Sequence, residues 1–210
     1  GISPTEVLIL GAGITGTVAA RSALALGAQV KIFDHDINKL RKIQHYLGQQ
    51  VFTSVIHPSV LFKALATADA VIGNLRYING SERFMVSEEL VKTMKSGAVI
   101  IDLSVDQGGC FETSECRTLR NPVYEKFGVV HYCVPNISAR VARTTSMALS
   151  NIFAPILLKI ANSGSVKLAI AESSGFRNGS YIYGGVLVNR LIGNYYGINS
   201  NDIGLLLADY

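Results

Sequence analysis

Short apolar runs alternate with stretches of helical spacing from Glu6 to about Val134, and this alternation predicts a parallel sheet covered by helices on both faces. Strands are expected at residues 7–10, 29–33, 51–53, 70–73, 98–104 and 129–134. Helices are expected between them. The first covers residues 16–26 and stops at Gly27. The second covers residues 37–47, places Ile37, Leu40, Ile43 and Leu47 on one face, and ends at Gly48. Residues 59–67 read as a third, and Ser87 reads as the N-cap of a fourth, with Glu88 and Glu89 near its positive end and Gly97 closing it. Past Pro135 the pattern changes to one long helix, residues 138–161, whose apolar positions are too frequent for a single stripe. It is expected to be buried on more than one side. Beyond Gly164 come a short helical run, a turn-rich stretch at 173–179, an extended piece at 181–183 and helical segments at 186–196 and 201–208. Leu187, Leu191, Ile192, Tyr195, Tyr196, Leu205, Leu206 and Leu207 give this tail more apolar surface than a small appendage hides, so it is expected to pack on something outside this chain.

The turn after the first strand carries the most specific signal. Gly11-Ala12-Gly13-Ile14-Thr15-Gly16 follows Val7-Leu8-Ile9-Leu10 and opens a helix, the context in which GxGxxG binds a dinucleotide. Gly11 makes the tight turn, Gly13 lets backbone approach a pyrophosphate, and Gly16 lets the helix pack against the sheet. Free N–H groups around Ile14 and Thr15 at the helix start then face the phosphates. Asp34, about twenty residues beyond the glycines at the end of the second strand, stands where a ribose-binding carboxylate belongs. An ordinary glycine-rich turn is the competing reading of the glycines alone. The fold class is therefore α/β: a Rossmann-type doubly wound parallel sheet over residues 1–137 with a C-terminal helical extension over 138–210. In such a sheet the ligand crevice lies at the carboxyl ends of the strands, so residues following Leu10, Phe33, Gly73, Ser104 and Val134 are expected to meet there. Asn74 and Leu75 join the candidate cofactor contacts on that ground.

Bulk properties fit a soluble enzyme domain. The 210 residues are 49% hydrophobic, enough for a well-buried core, and only 16% charged. The mean hydropathy of +0.31 invites a search for membrane spans. The longest apolar stretches, such as 98–103 with Asp102 inside, fall far short of the ~20 residues that cross a bilayer, so no membrane partner is expected. A net charge of +4, spread along the chain, suits an anionic cofactor and does not call for nucleic acid. Cys110, Cys116 and Cys133 are too few and wrongly spaced for a zinc module or a disulfide framework. No metal is expected, and the cysteines read as reduced thiols of a cytoplasmic protein.

Other residues have two readings. Asp106, just past the fifth strand and next to Gly108-Gly109, is either a turn aspartate bonding backbone amides or a group in the crevice that takes part in chemistry. His131 lies within an apolar strand and reads as a satisfied core residue. Lys39, Arg41 and Lys42 form a basic turn after Asp34. They are solvated surface in the ordinary case, with Lys39 the candidate adenosine contact. Arg76 and Arg143 are candidates for anion contacts.

Gly11 to Gly16, Asp34, the run Val105-Asp106-Gln107-Gly108-Gly109-Cys110-Phe111-Glu112-Thr113, the run His131-Tyr132-Cys133-Val134-Pro135-Asn136, and Arg143-Thr144 resemble the cofactor half of the alanine dehydrogenase family. That family includes the NAD-binding subunit of proton-translocating transhydrogenase. The Asp-Gln-Gly-Gly segment coupled to His-Tyr-Cys-Val-x-Asn favours the dehydrogenase. The resemblance implies NAD as cofactor, L-alanine and pyruvate as small-molecule substrates, a homo-oligomer, and a substrate domain that precedes the cofactor domain and is missing here. It implies Asp106 as the catalytic carboxylate, and Asn136 and Ile137 as contacts to the nicotinamide ribose and carboxamide. A capping asparagine and a core isoleucine are the competing readings of that pair. The fragment alone is expected to bind NAD without catalysing, and Asp34 is expected to favour NAD over NADP. Two other classes remain open: the NAD-binding component of a transhydrogenase, and a non-catalytic dinucleotide-binding module.

Overall fold

A computed structural model describes residues 1–75 and 85–208. Arg76 lies outside the described residues. The chain divides into two compact units, Gly1–Ile137 and the residues from Ser138 onward.

In the first unit the chain runs β1 (Glu6–Leu10), α1 (Ile14–Ala25), β2 (Gln29–Asp34), α2 (Ile37–Leu47), β3 (Phe52–Val55), α3 (Pro58–Thr67) and β4 (Ala70–Gly73). It continues through α4 (Glu88–Val91), β5 (Val99–Asp102), β6 (Val123–Lys126) and β7 (Val129–Tyr132). The strands form one seven-stranded sheet in the order β3-β2-β1-β4-β5-β7-β6, and only β6 runs antiparallel to its neighbour. This is the α/β doubly wound arrangement that the sequence predicts. The chain winds outward from β1 to β3, then crosses back to β4, so the strand order reverses between β1 and β4, where an open α/β sheet leaves a crevice.

Alternation along the strands sends side chains to both faces, and both faces are covered. Leu8, Leu10, Val71 and Ile100 pack with Leu61, Leu65, Val91 and Phe111 in one cluster. Val7, Ile9, Val30 and Ile32 pack with Ala20, Leu40 and Ile43 in the other. Truncating one of these leucines or isoleucines to alanine removes about 2–5 kcal/mol.

Boundaries shift for local reasons. Helix α1 starts at Ile14 rather than residue 16, because Gly13 takes the extended cap conformation. Strand β5 ends at Asp102 rather than 104, since the chain turns into a short 3-10 segment at Val105–Gln107. Helix α4 is a single turn, four residues long, and does not reach Gly97. The sequence reading lacks β6 altogether. Phe127 and Gly128, both at positive φ (56° and 74°), form the tight turn that joins it to β7. Such a turn ordinarily carries Asn-Gly or Asp-Gly, and phenylalanine in its first position hides the hairpin.

The second unit opens within a 3-10 turn at Ile137–Val141 and continues with α5 (Ala142–Asn162). Contrary to the expected burial on several sides, none of the α5 residues is buried. Met147, Ile152, Phe153, Leu157 and Leu158 are all more than half exposed. The helix is long, but the elements after it are short and do not enclose it. By length and composition alone Ile137–Asn162 is apolar enough to cross a bilayer. This corrects the expectation that no apolar stretch is long enough to span, because serines, threonines and Asn151 spaced through the segment break it into short runs without lowering its average enough. Beyond it lie α6 (Val166–Glu172), α7 (Ser174–Gly179), the hairpin β8 (Ile182–Tyr183) and β9 (Val186–Leu187), α8 (Arg190–Tyr196) and α9 (Ile203–Ala208). The stretch read as turn-rich is thus the helix α7, capped by the Ser173 hydroxyl. The segment read as helical from 186 opens as a strand, because Gly184 and Gly185 both take positive φ and fold it back.

Candidate functional site

The carboxyl ends of the central strands stand side by side, with Leu10 in register with Phe33 and with Gly73, and Gly73 with Asp102. The glycine loop leaves β1 at this edge. Gly11 has φ +115°, and a Cβ there would come within 2.8 Å of the Asn74 carbonyl oxygen; its N–H donates to Phe33 O at 2.7 Å. A Cβ on Gly16 would lie 1.8 Å from Gly11 O. Both glycines are therefore demanded by the protein's own packing. Gly13 differs, because a Cβ there would meet nothing within 4 Å. That open side is where a ligand's phosphates can reach the backbone. No side chain caps α1, and Ile14 and Thr15 in its first turn are exposed. The first-turn amides of a helix have no intrahelical acceptor, so this uncapped, open terminus fits the pyrophosphate of a dinucleotide.

Asp34 is buried, at 2% exposure. Its Oδ2 accepts the Ala12 N–H at 2.8 Å and its Oδ1 accepts the Asp36 N–H at 2.9 Å. It thus braces the glycine loop against the end of β2 in addition to any ribose contact, and each carboxylate oxygen retains a second lone pair for a hydroxyl. Asp36 caps α2 through the Asn38 N–H, and Lys39 in that first turn is exposed. After β4, Asn74 donates its N–H to Leu10 O at 2.8 Å, and the Leu75 N–H donates to Cys110 Sγ at 3.3 Å. Asn74 thus links the ends of β1 and β4, and Leu75 links the end of β4 to the loop after β5.

Asp106 is exposed in the 3-10 turn past β5, whose first residue, Val105, is buried. The bonds expected of a turn aspartate belong instead to Asp102, which sequence reasoning missed: its carboxylate accepts the N–H groups of Ser104 and Cys110. The signal was present in the sequence, since a charged residue inside an apolar strand must find partners. Beyond β7, Asn136 takes a left-handed conformation at φ 58°. Ile137 is 38% exposed, which removes the reading of it as a core residue. Arg143 belongs to the second unit.

His131 is buried as expected. Its Nδ1–H donates to Val129 O at 2.9 Å, its Nε2 lies 2.8 Å from Thr113 Oγ1, and its ring stacks on Tyr124. Burial holds its pKa below the usual histidine value, so the ring is a neutral structural group. Burial likewise pushes the Cys110 thiol up to about 11 and raises that of Cys133, which leaves neither a reactive thiolate. Among the described residues no group of three or more His, Cys, Asp or Glu side chains is placed to hold a metal ion.

Residues 1–190 match the family described as alanine dehydrogenase/PNT, C-terminal domain. The chain belongs to this family. Among curated relatives, alanine dehydrogenase of Bacillus subtilis is 42% identical over 180 residues, covering 85% of this chain and 47% of that protein. Alanine dehydrogenase of Halomonas elongata is 34% identical over 208 residues, covering 99% of this chain and 56% of that protein. A solved L-alanine dehydrogenase superposes with a TM-score of 0.83 at 36% identity, over 93% of this chain and 54% of the other. A transhydrogenase from Sinorhizobium meliloti shares the fold, with a TM-score of 0.69 at 23% identity, over 90% of this chain and 51% of the other. The chain spans about half the length of the curated relatives it matches.

Proposed function

We propose that this chain is the NAD-binding half of an alanine dehydrogenase, which converts L-alanine, NAD and water reversibly to pyruvate, ammonium, NADH and a proton. The observation that carries the reading is the shared edge: the open helix terminus at Gly13, the Asp34 carboxylate and the Asp106 turn all leave the carboxyl ends of one sheet. Family membership supports the substrate. NAD, when bound, supplies the hydride acceptor. Gly11, Gly13, Ile14, Thr15 and Gly16 cradle the pyrophosphate, Asp34 holds the adenosine ribose with Lys39 beside it, and Asn74, Leu75, Asn136 and Ile137 border the nicotinamide end. The Asp106 carboxylate orients the substrate amine and offsets the positive charge of the iminium that forms as its α-hydrogen departs, an electrostatic role rather than a nucleophilic one.

The amino acid's carboxylate and the protons of imine hydrolysis need an arginine, a lysine and a histidine that this reading places in an upstream substrate domain. The same domain, together with further copies of the protein, covers α5 and the apolar tail. On this reading the protein is a cytoplasmic homo-oligomer with reduced thiols, and it has no part in nucleic-acid or membrane binding. A transhydrogenase component is the second reading, favoured by the shared fold. It predicts NADH oxidation only when a separate NADP-bound component is added.

Titration calorimetry of this chain with NAD and NADP tests the cofactor assignment. NAD is expected to bind more tightly, because a 2′-phosphate brings like charge to Asp34. Asp34→Ala is expected to weaken NAD by about tenfold or more, as loss of a hydrogen bond to a charged group does, and to narrow the gap between the cofactors. Equal or tighter binding of NADP to the wild-type chain overturns the assignment.

A further inference from the structure

We infer that Asp102 is a positioning residue for this site: its carboxylate clamps both ends of the turn that carries Asp106 and, through Cys110, ties that turn to the loop after β4. The inference rests on the reading of Asp106 proposed above. Asp102 ends β5 at 1% exposure, where an unpaired carboxylate would be costly. Four donors converge on it. Ser104 N–H and Ser104 Oγ donate to Oδ1 at 3.0 and 2.9 Å, and Cys110 N–H and Ser114 Oγ donate to Oδ2 at 2.8 and 2.6 Å. Ser104 precedes Asp106 and Cys110 follows it, so one buried group fixes the entry and the exit of the turn. The Gly109 N–H closes the same loop on Ser104 O at 3.0 Å.

Gly109 is shaped by this clamp. It has φ +79°, and a Cβ there would lie 2.8 Å from Asp102 Oδ2 and 3.2 Å from Ser114 Cβ. The second glycine of Asp-Gln-Gly-Gly is thus the spatial complement of the strand aspartate. The linkage continues outward, because Cys110 Sγ accepts the Leu75 N–H and lies 3.3 Å from Leu75 O. The chain just after β4 and the turn after β5 are therefore tied to one carboxylate. Asp106 is exposed on a turn only three residues long, so its carboxylate takes its position from the backbone that Asp102 holds.

The test is a double-mutant cycle in the longer protein that joins this chain to its upstream half. Asp102→Asn keeps the shape but turns one acceptor into an NH₂ group facing donors. Its kcat for alanine is expected to fall about tenfold or more, with KM for NAD moved by less than about threefold, a split that diffuse structural damage does not give. The D102N/D106N double variant is expected to be within about threefold of D106N alone, because displacing a group already disabled costs nothing further. Multiplied losses in the double variant, or a wild-type rate for D102N beside a slow D106N, overturn the role of Asp102 and leave Asp106 standing. A wild-type rate for D106N overturns the reading of the site and this inference with it. Should D102N fail to fold, Ser114→Ala takes its place, since it keeps the carboxylate and removes one donor. A loss of about threefold or more that does not multiply with D106N supports the clamp. No loss, or a multiplied one, overturns it.

Discussion

Asp106→Asn in the longer protein is expected to lower alanine turnover by about 10²–10³-fold while moving NAD affinity by less than about threefold. The substitution keeps the shape of the side chain and removes its charge. Among the described residues Asp106 makes no hydrogen bond or ion pair that the change would break, so the fold has little reason to respond. The loss therefore reports what the charge does to the reacting amine. Steady-state kinetics with L-alanine, paired with calorimetric NAD titration, separates the two effects. A variant that oxidises alanine at nearly the wild-type rate returns Asp106 to a surface position with no chemical task.

Gly16→Ala is expected to destabilise the first unit by about 3 kcal/mol or more and to abolish NAD binding in whatever fraction still folds. The added methyl would lie 1.8 Å from a backbone oxygen, and no rotamer change relieves a clash with backbone. Helix α1 must tilt away from the sheet or the glycine loop must open, and either movement spoils the phosphate cradle. In a chain of this size the unfolding midpoint should drop by about 6–12 °C. Gly13→Ala is the matched control, since its methyl enters open space. It should cost about 1 kcal/mol or less through poorer capping yet still weaken NAD, because the methyl stands where the pyrophosphate approaches. Equal midpoints for Gly16→Ala and wild type contradict the packing described here.

How far the sequence reveals this protein depends on whether a feature is local. The alternation of apolar runs and helical spacing is local, and it leads directly to a sheet buried on both faces by Leu8, Leu10, Val7 and Ile9. The glycines are local as well: the pattern gives Gly16 to helix packing and Gly13 to phosphate approach, and a side chain at 16 would meet the Gly11 carbonyl while one at 13 faces open space. The hairpin at Phe127-Gly128 escaped because its turn chemistry is atypical. Asp102 escaped for another reason. Its partners Ser104, Cys110 and Ser114 meet it only after the chain has turned back on itself, and residue spacing does not show that return. For α5, apolar frequency indicates surface suited to being covered. It says nothing of what covers it.

On the proposed reading this chain holds the cofactor and carries the charge, while an upstream domain supplies the grip on the amino acid. Holding the α-carbon against the hydride acceptor is worth up to ~7–11 kcal/mol, so cofactor binding alone should give no turnover. The direct measurement is NADH formation from L-alanine and NAD, followed side by side for this chain and for the longer protein, with NAD binding confirmed in both. The expected result is no NADH above blank from the chain and steady, alanine-dependent NADH from the longer protein. Steady NADH production that copurifies with the chain alone, or a longer protein that binds NAD and leaves alanine untouched, would contradict it.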